Sequence, residues 1–335
     1  MLTTKSNYPG FAENGQVYYY SIARYALVDA LRLAGLGVGS RVLLPSFICR
    51  DLLASLFALG AQPYWYDVSP DMTPLASSDT WPVADLVLAV NYFGFPQDLH
   101  VFEVYAKRTR AVIIEDNAHG YLSQDMSGRW LGCRTELGLF SIRKTLRIPD
   151  GAALWVAPQR ISTTLKQLPF EGNGLSSLQL IKARMRAFPL FGEIAYRIST
   201  KLIRLLRKLR TGSESPFADP ESERVLPFTP NPWSKLLPSL GATDVPSEVM
   251  RRRQAYGQCA EEGVKAGVTP VFSALPLNCV PYAYAFRGDP SQVDEMRRYA
   301  ENQGFDMVSW PDLPEEILGQ VPTYYRDVFL INLLW

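Results

Sequence analysis

The sequence predicts a mostly parallel α/β sheet covered by helices, followed by a smaller C-terminal α+β domain. Short apolar runs recur at Val42–Leu44, Tyr64–Tyr66, Leu86–Val90, Val112–Ile114, Leu137–Ile142 and Ala153–Val156. Several of the gaps between them, such as Leu52–Leu59 and Val101–Thr109, carry apolar residues at helical spacing. Strands alternating with helices argue for parallel pairing, and right-handed crossovers gather the strand ends on one edge. Two of the runs are each followed closely by a chemically capable residue, Asp116 and Lys144.

Each element has its own warrant. Ser21-Ile22-Ala23-Arg24 opens a first helix read over Tyr25–Ala34, which Gly35, Gly37 and Gly39 punctuate. A helix N-terminus offers free N–H groups and a favourable dipole to phosphate, and Arg24 adds a charge-assisted bond. The alternative is an ordinary N-cap with an exposed arginine. Val112–Ile114 is β-branched and bounded by polar residues, so it reads as a buried strand with Asp116 just past its carboxyl end. Leu137–Ile142 delivers Lys144 beyond its own end in the same way. Ligands of open α/β sheets sit outside the carboxyl ends of the strands.

A carboxylate and an amine raised at that edge suit pyridoxal phosphate. The lysine forms the Schiff base, and the carboxylate keeps the ring nitrogen protonated so that the ring acts as an electron sink. Ser141, three residues before Lys144, suits a hydroxyl on the cofactor phosphate, and Asp150-Gly151 supplies a turn before the next strand. Lys144 also reads as a surface lysine in a basic loop with Arg143 and Arg147, but Ser141 and the turn favour the functional reading. Asp116 alternatively caps a helix. Glu115 is expected on the opposite face of the strand. His119, one of two histidines, either serves the structure alone or stacks on or bonds to the cofactor ring.

Composition narrows the class. The 335 residues have a net charge of +1, which gives no global attraction to nucleic acid or membrane. The four cysteines are scattered without metal or disulfide spacing, as expected of a reducing cytoplasm. The first residues lack an apolar h-region, and no apolar run approaches the roughly 18–20 residues that span a bilayer. From Lys182 to Arg210, nine basic residues stand against one acid, Glu193, in an insertion read over about 177–212. Ile198, Leu202, Leu205, Leu206 and Leu209 recur there at helical spacing. Three readings stand: a helix packed on the core with a solvated basic face, an interfacial helix on anionic lipid, or attraction of a diphosphate-bearing substrate. Thr211–Asn231, rich in Pro, Ser and Glu, reads as a linker or a long loop. It places a large domain over 1–225 and a small one over 226–335, in which Arg251–Glu262 begins a second compact region, with strands at Pro270–Phe272 and Tyr282–Phe286 and a helix at Ser291–Gln303 with Ser291 as N-cap.

These motifs resemble the fold-type-I pyridoxal-phosphate sugar aminotransferases of the DegT–DnrJ–StrS group. The similar stretches are Gly37–Phe47, Gly60-Ala61-Gln62-Pro63 with Tyr66-Asp67-Val68, Asn91-Tyr92-Phe93-Gly94, Ile114–Gly120, Gly128, Gly132 and Gly138–Ser141, and Arg251–Tyr256. The likeness is close over most of 20–160 and loose over 245–335. It implies Lys144 as the Schiff-base lysine, Asp116 as partner of the pyridine nitrogen, His119 beside the cofactor and Ser141 on its phosphate. It also implies a homodimer, with transfer of an amino group from glutamate to a nucleotide-linked keto-sugar for polysaccharide or glycoside biosynthesis.

The chain departs from the group's pattern in four places. Ile22-Ala23-Arg24 replaces a Ser-Gly-Thr phosphate loop, so Ala23 and Arg24 stand where hydroxyls are usual. Cys49 stands where many relatives stack an aromatic on the ring. The Ser141–Lys144 spacing is two residues shorter. Relatives continue past a segment like Phe329–Trp335, so a longer reading frame and an incomplete small domain are expected. Two rival functions follow from these departures: a catalytically silent scaffold or binding subunit, and another pyridoxal-phosphate chemistry such as sugar dehydration. Lys144 argues against the latter, because the group's dehydratases replace that lysine with histidine.

Overall fold

The computed structural model describes residues 14–162, 165–172, 220–227 and 229–334. The basic segment Lys182–Arg210 lies outside the described residues. Among the described residues no helix is long and apolar enough to cross a membrane.

A seven-stranded sheet dominates. Its strands are β1 (Gln16–Tyr20), β2 (Arg41–Pro45), β3 (Gln62–Tyr66), β4 (Leu86–Val90), β5 (Val112–Asn117), β6 (Leu137–Phe140) and β7 (Ala152–Val156), in the spatial order β1-β7-β6-β5-β4-β2-β3. Pairing is parallel from β3 through β6, and β7 runs antiparallel to both neighbours. The fully apolar Leu-Val-Leu-Ala-Val of β4 is buried at every position, as a strand covered on both faces must be. Helix α1 (Ala23–Leu33) buries Ala26, Leu27, Ala30 and Leu31 and packs on β6 and β7. Helix α2 (Leu53–Phe57) packs on α1 and β3, and α3 (His100–Thr109) packs on β4 and β5.

Helix α4 (Leu236–Gly241) inserts Leu236 and Leu240 against Phe140, Ile142, Leu146 and Trp155. It thereby clamps the turn that carries Lys144. Beyond it, α5 (Val245–Ala266), β8 (Thr269–Pro270), β9 (Ala283–Arg287), α6 (Pro290–Gln303), β10 (Asp306–Ser309) and β11 (Phe329–Asn332) build a four-stranded antiparallel sheet, order β10-β11-β9-β8. The two helices pack on each other and on this sheet.

Several boundaries differ from the sequence reading for physical reasons. Strand β5 continues through Asp116 to Asn117, because Asp116 pairs with Val90 and Leu139 across both neighbours. Asp116 therefore lies within the strand rather than past its end. Strand β6 stops at Phe140, and Lys144 closes a 3₁₀ turn, Ile142–Lys144. Helix α1 begins two residues earlier than its apolar pattern. Helix α5 begins at Val245, where the Asp244 side chain caps the Ser247 N–H. In α6 the N-cap is Asp289, not Ser291: its carboxylate accepts from Ser291 and Gln292 in a full capping box. Two strands, β1 and β10, mix polar residues into their runs and escape the apolar pattern.

One glycine is required by close approach. On Gly138, in β6 beside Glu115, an added Cβ would strike the Gly132 carbonyl. That contact folds the loop before β6 back beneath the strand.

Candidate active site

Lys144, Asp116, His119, Ser141, Ala23, Arg24 and Cys49 all line one pocket at the carboxyl edge of the large sheet. Asn91, Asp51, Arg143 and Trp310 complete its polar and aromatic wall.

The carboxylate is held first by its backbone. The Asn91 N–H donates to the Asp116 carbonyl at 2.9 Å, and the Ala118 N–H donates to Asp116 Oδ1 at 2.9 Å. The other carboxylate oxygen makes no hydrogen bond among the described residues. Burial pushes the Asp116 carboxyl above its ordinary range, against the Ala118 N–H and Lys144. A cationic N–H placed in the pocket would reverse that shift. Glu115 points the other way, as strand alternation requires. There it meets Arg134 at 2.7 Å and accepts from Asn91 Nδ2 at 2.8 Å, a fully buried brace behind Asp116.

Lys144 Nζ lies 3.1 Å from His119 Nε2. Tyr282 stacks parallel on the imidazole at 4.5 Å, with Phe93 near-parallel at 5.6 Å, so His119 offers Lys144 its Nε2 edge. The Phe93 N–H donates to Nδ1 at 3.4 Å, which leaves the ring proton on Nε2. Burial, with Lys144 beside it, holds His119 well below its ordinary pKa. The lysine turn is pinned from several sides. Arg143 N donates to the Gly151 carbonyl at 3.1 Å, and Lys144 N to the Ser141 carbonyl at 2.9 Å. The buried Arg252 donates to the Thr145 carbonyl and, at 3.1 Å, to that of Pro281.

At the opposite end stands the first turn of α1, whose Ile22 cap supplies no side-chain bond. Arg24 lies 3.7 Å from Asp51 and 3.5 Å from the Ser222 carbonyl. Arg143 Nε is buried without a partner. Burial, with Asp51 nearby, pushes the Cys49 thiol up to about 12, so it stays protonated and apolar. It supplies no ring. The aromatic surface comes instead from Trp310, which meets His119 edge-on at 5.7 Å.

Two groups escaped sequence reasoning. Trp310 sits more than 160 residues beyond Lys144, and no local pattern links the two. Arg143 is visible in Ser-Ile-Arg-Lys but looks like one charge in a basic loop. The chemistry of the donor set fits pyridoxal phosphate. A carboxylate faces the pocket at one end, an amine stands midway, and helix N–H groups with an orphaned guanidinium donor stand at the other.

Asp150, behind Arg143, adds a pH dependence. It is buried and accepts the Trp233 N–H at 3.1 Å, and burial raises its pKa to about 6. A raised carboxyl stabilises the fold below its unfolded value, and that stability is lost as pH rises through about 6. Asp150→Asn should therefore gain in melting temperature relative to wild type between pH 4 and 7. A difference that stays constant over that range would show that Asp150 does not titrate there.

A seven-stranded, mostly parallel sheet with a polar pocket at its carboxyl edge is the architecture of a fold-type-I pyridoxal-phosphate transferase, and Lys144 and Asp116 both line that pocket. The model of the DegT/DnrJ/EryC1/StrS aminotransferase family matches residues 13–182, and the chain belongs to that family, as a transaminase with pyridoxal phosphate as cofactor. The fold is similar to that of the aminotransferase TlmJ from Streptoalloteichus hindustanus, at TM-score 0.61 and 21% identity, covering 96% of this chain and 82% of that one. It is also similar to a DegT DnrJ EryC1 StrS aminotransferase from Brucella abortus (TM-score 0.58, 15% identity, 96% and 82% covered). Spr1654 from Streptococcus pneumoniae, solved in its PLP form, matches at TM-score 0.60 and 14% identity over 96% of this chain and 84% of that one.

Proposed function

We propose that this transaminase moves an amino group from glutamate to a nucleotide-linked keto-sugar, as a cytoplasmic homodimer serving polysaccharide or glycoside biosynthesis. The observation that carries the reading is the meeting of Lys144, Asp116, His119 and Ser141 in one pocket with the α1 N-terminus. When bound, pyridoxal phosphate supplies an electron sink for charge developing at the amino-bearing carbon. Asp116 holds the proton of the ring nitrogen through the oxygen that Ala118 leaves free. Lys144 Nζ accepts and returns the proton at the reacting carbon as general base and acid. His119, fixed by Phe93 and Tyr282, orients that amine from 3.1 Å away. Ser141 and the Ala23 and Arg24 N–H groups bind the phosphate, while Cys49 and Trp310, on neighbouring segments, give the wall its apolar part.

The test is a half-reaction. Protein loaded with pyridoxal phosphate is mixed with glutamate, and the visible band of the aldehyde form is followed. Loss of the band with stoichiometric 2-oxoglutarate establishes the donor step; return of the band with a nucleotide-linked keto-sugar establishes the acceptor. A band indifferent to every amino acid tried would leave a binding subunit.

A further inference from the structure

Arg143 stands next to Lys144 in the pocket wall, yet its side chain makes no hydrogen bond or ion pair among the described residues. A buried guanidinium donor without an acceptor is costly and persists where a ligand completes it. The charged groups around it are Arg24, Asp51 and Asp150, with the Tyr282 phenol. Asp150 is engaged by the Trp233 N–H at 3.1 Å. Asp51 is half exposed and lies 3.7 Å from Arg24. Two guanidiniums and the open first turn of an 11-residue helix therefore face a single loosely held carboxylate. Ser141 carries the one hydroxyl among the described lining residues.

We propose that Arg143 and Arg24 together form a two-guanidinium seat for a phosphate dianion at this end of the pocket. The inference rests on the transaminase reading above and deepens it. Arginine presents a planar fork that binds phosphate oxygens in pairs and stays charged across the whole working pH range. Two such forks supply the charge and donors that the apolar Ile22 and Ala23 side chains cannot. The phosphate has two sources, the cofactor and a nucleotide-linked substrate. The cofactor is favoured, because Arg143 is one residue from Lys144 on the same short turn.

The experiment measures quenching of tryptophan fluorescence, with Trp310 in the pocket as reporter, by pyridoxamine 5′-phosphate, pyridoxamine and uridine diphosphate. Wild type is compared with Arg143→Met, Arg24→Met and Arg143→Lys. Arg143→Met should weaken pyridoxamine 5′-phosphate about 10- to 100-fold and leave pyridoxamine unchanged. Arg24→Met should do the same, and Arg143→Lys should lose less. If uridine diphosphate alone is weakened by that factor, the seat is upheld and its phosphate belongs to the substrate. Variants that bind all three ligands as wild type does would overturn the proposal. Equal losses for pyridoxamine and its phosphate would also overturn it, since they mark a merely structural arginine. Should Arg143→Met fail to fold, Arg143→Lys decides by the same selective loss. Wild type that binds neither vitamer would reject the cofactor reading itself, a result separable from any effect of Arg143.

Discussion

Lys144→Ala is expected to fold as wild type does and to lose glutamate-dependent transamination by at least about 10³-fold. On the proposed mechanism this amine exchanges the proton at the reacting carbon. Its nearest partner, His119 at 3.1 Å, is held in one orientation and cannot follow a migrating proton between two carbons. Folding should survive because the Lys144 side chain is only partly buried and the hydrogen-bond contact it makes is the one to His119. Borohydride treatment of the loaded wild type should leave a cofactor mass on the peptide containing Lys144, and none on the variant. A variant that keeps activity within tenfold would remove Lys144 from the chemistry.

Arg252→Met should lower unfolding free energy by about 3–5 kcal/mol, the cost of removing one member of a buried charged network. Arg252 is fully buried in α5 and bonds Glu248 at 2.8 Å, the Pro281 carbonyl and the Thr145 carbonyl. Burial lowers its own pKa to about 10, with Glu248 opposing the fall. Burial works against the Glu248 carboxylate too, yet Arg251 and Arg252 hold it below its ordinary range. Methionine fills similar volume but leaves two carbonyls without donors, one of them beside the lysine turn. Urea denaturation should show the loss in midpoint, and cofactor affinity should fall with it. A midpoint within about 0.5 kcal/mol of wild type would mean that water replaces the guanidinium.

The fold was legible where burial is continuous. Strands such as β4, apolar on both faces, announce themselves; β1 and β10 do not, because Gln16 and three tyrosines make up most of the one and Asp306 and Ser309 bound the two apolar residues of the other. Pro270–Phe272 looks like a strand, yet the ladder holds only Thr269 and Pro270 before the chain turns toward Phe95, on which Phe272 stacks at 3.9 Å. In the site, Asp116, Ser141 and Lys144 were legible because each stands at or just past the carboxyl end of a strand that an apolar run marks, Asp116 as the next-to-last residue of β5. The environment that tunes them was not. Tyr282 and Trp310 reach His119 from residues that no periodicity relates to it, and the orphaned state of Arg143 is a property of space rather than of spacing.

The position of Trp310 has a thermodynamic consequence. It follows directly on β10 of the small sheet, while the rest of the pocket wall comes from residues 22–144. Asp312, two residues on, reaches Arg50 at 2.9 Å. A ligand seated in the pocket therefore binds only the folded arrangement that brings Trp310 to the residues of the large sheet, so its binding free energy adds to folding stability as RT ln(1 + [L]/Kd). At a hundredfold excess over Kd that amounts to about 2.7 kcal/mol. The two sheets share one buried core, so they should melt in a single step that an occupant of the pocket moves to higher temperature.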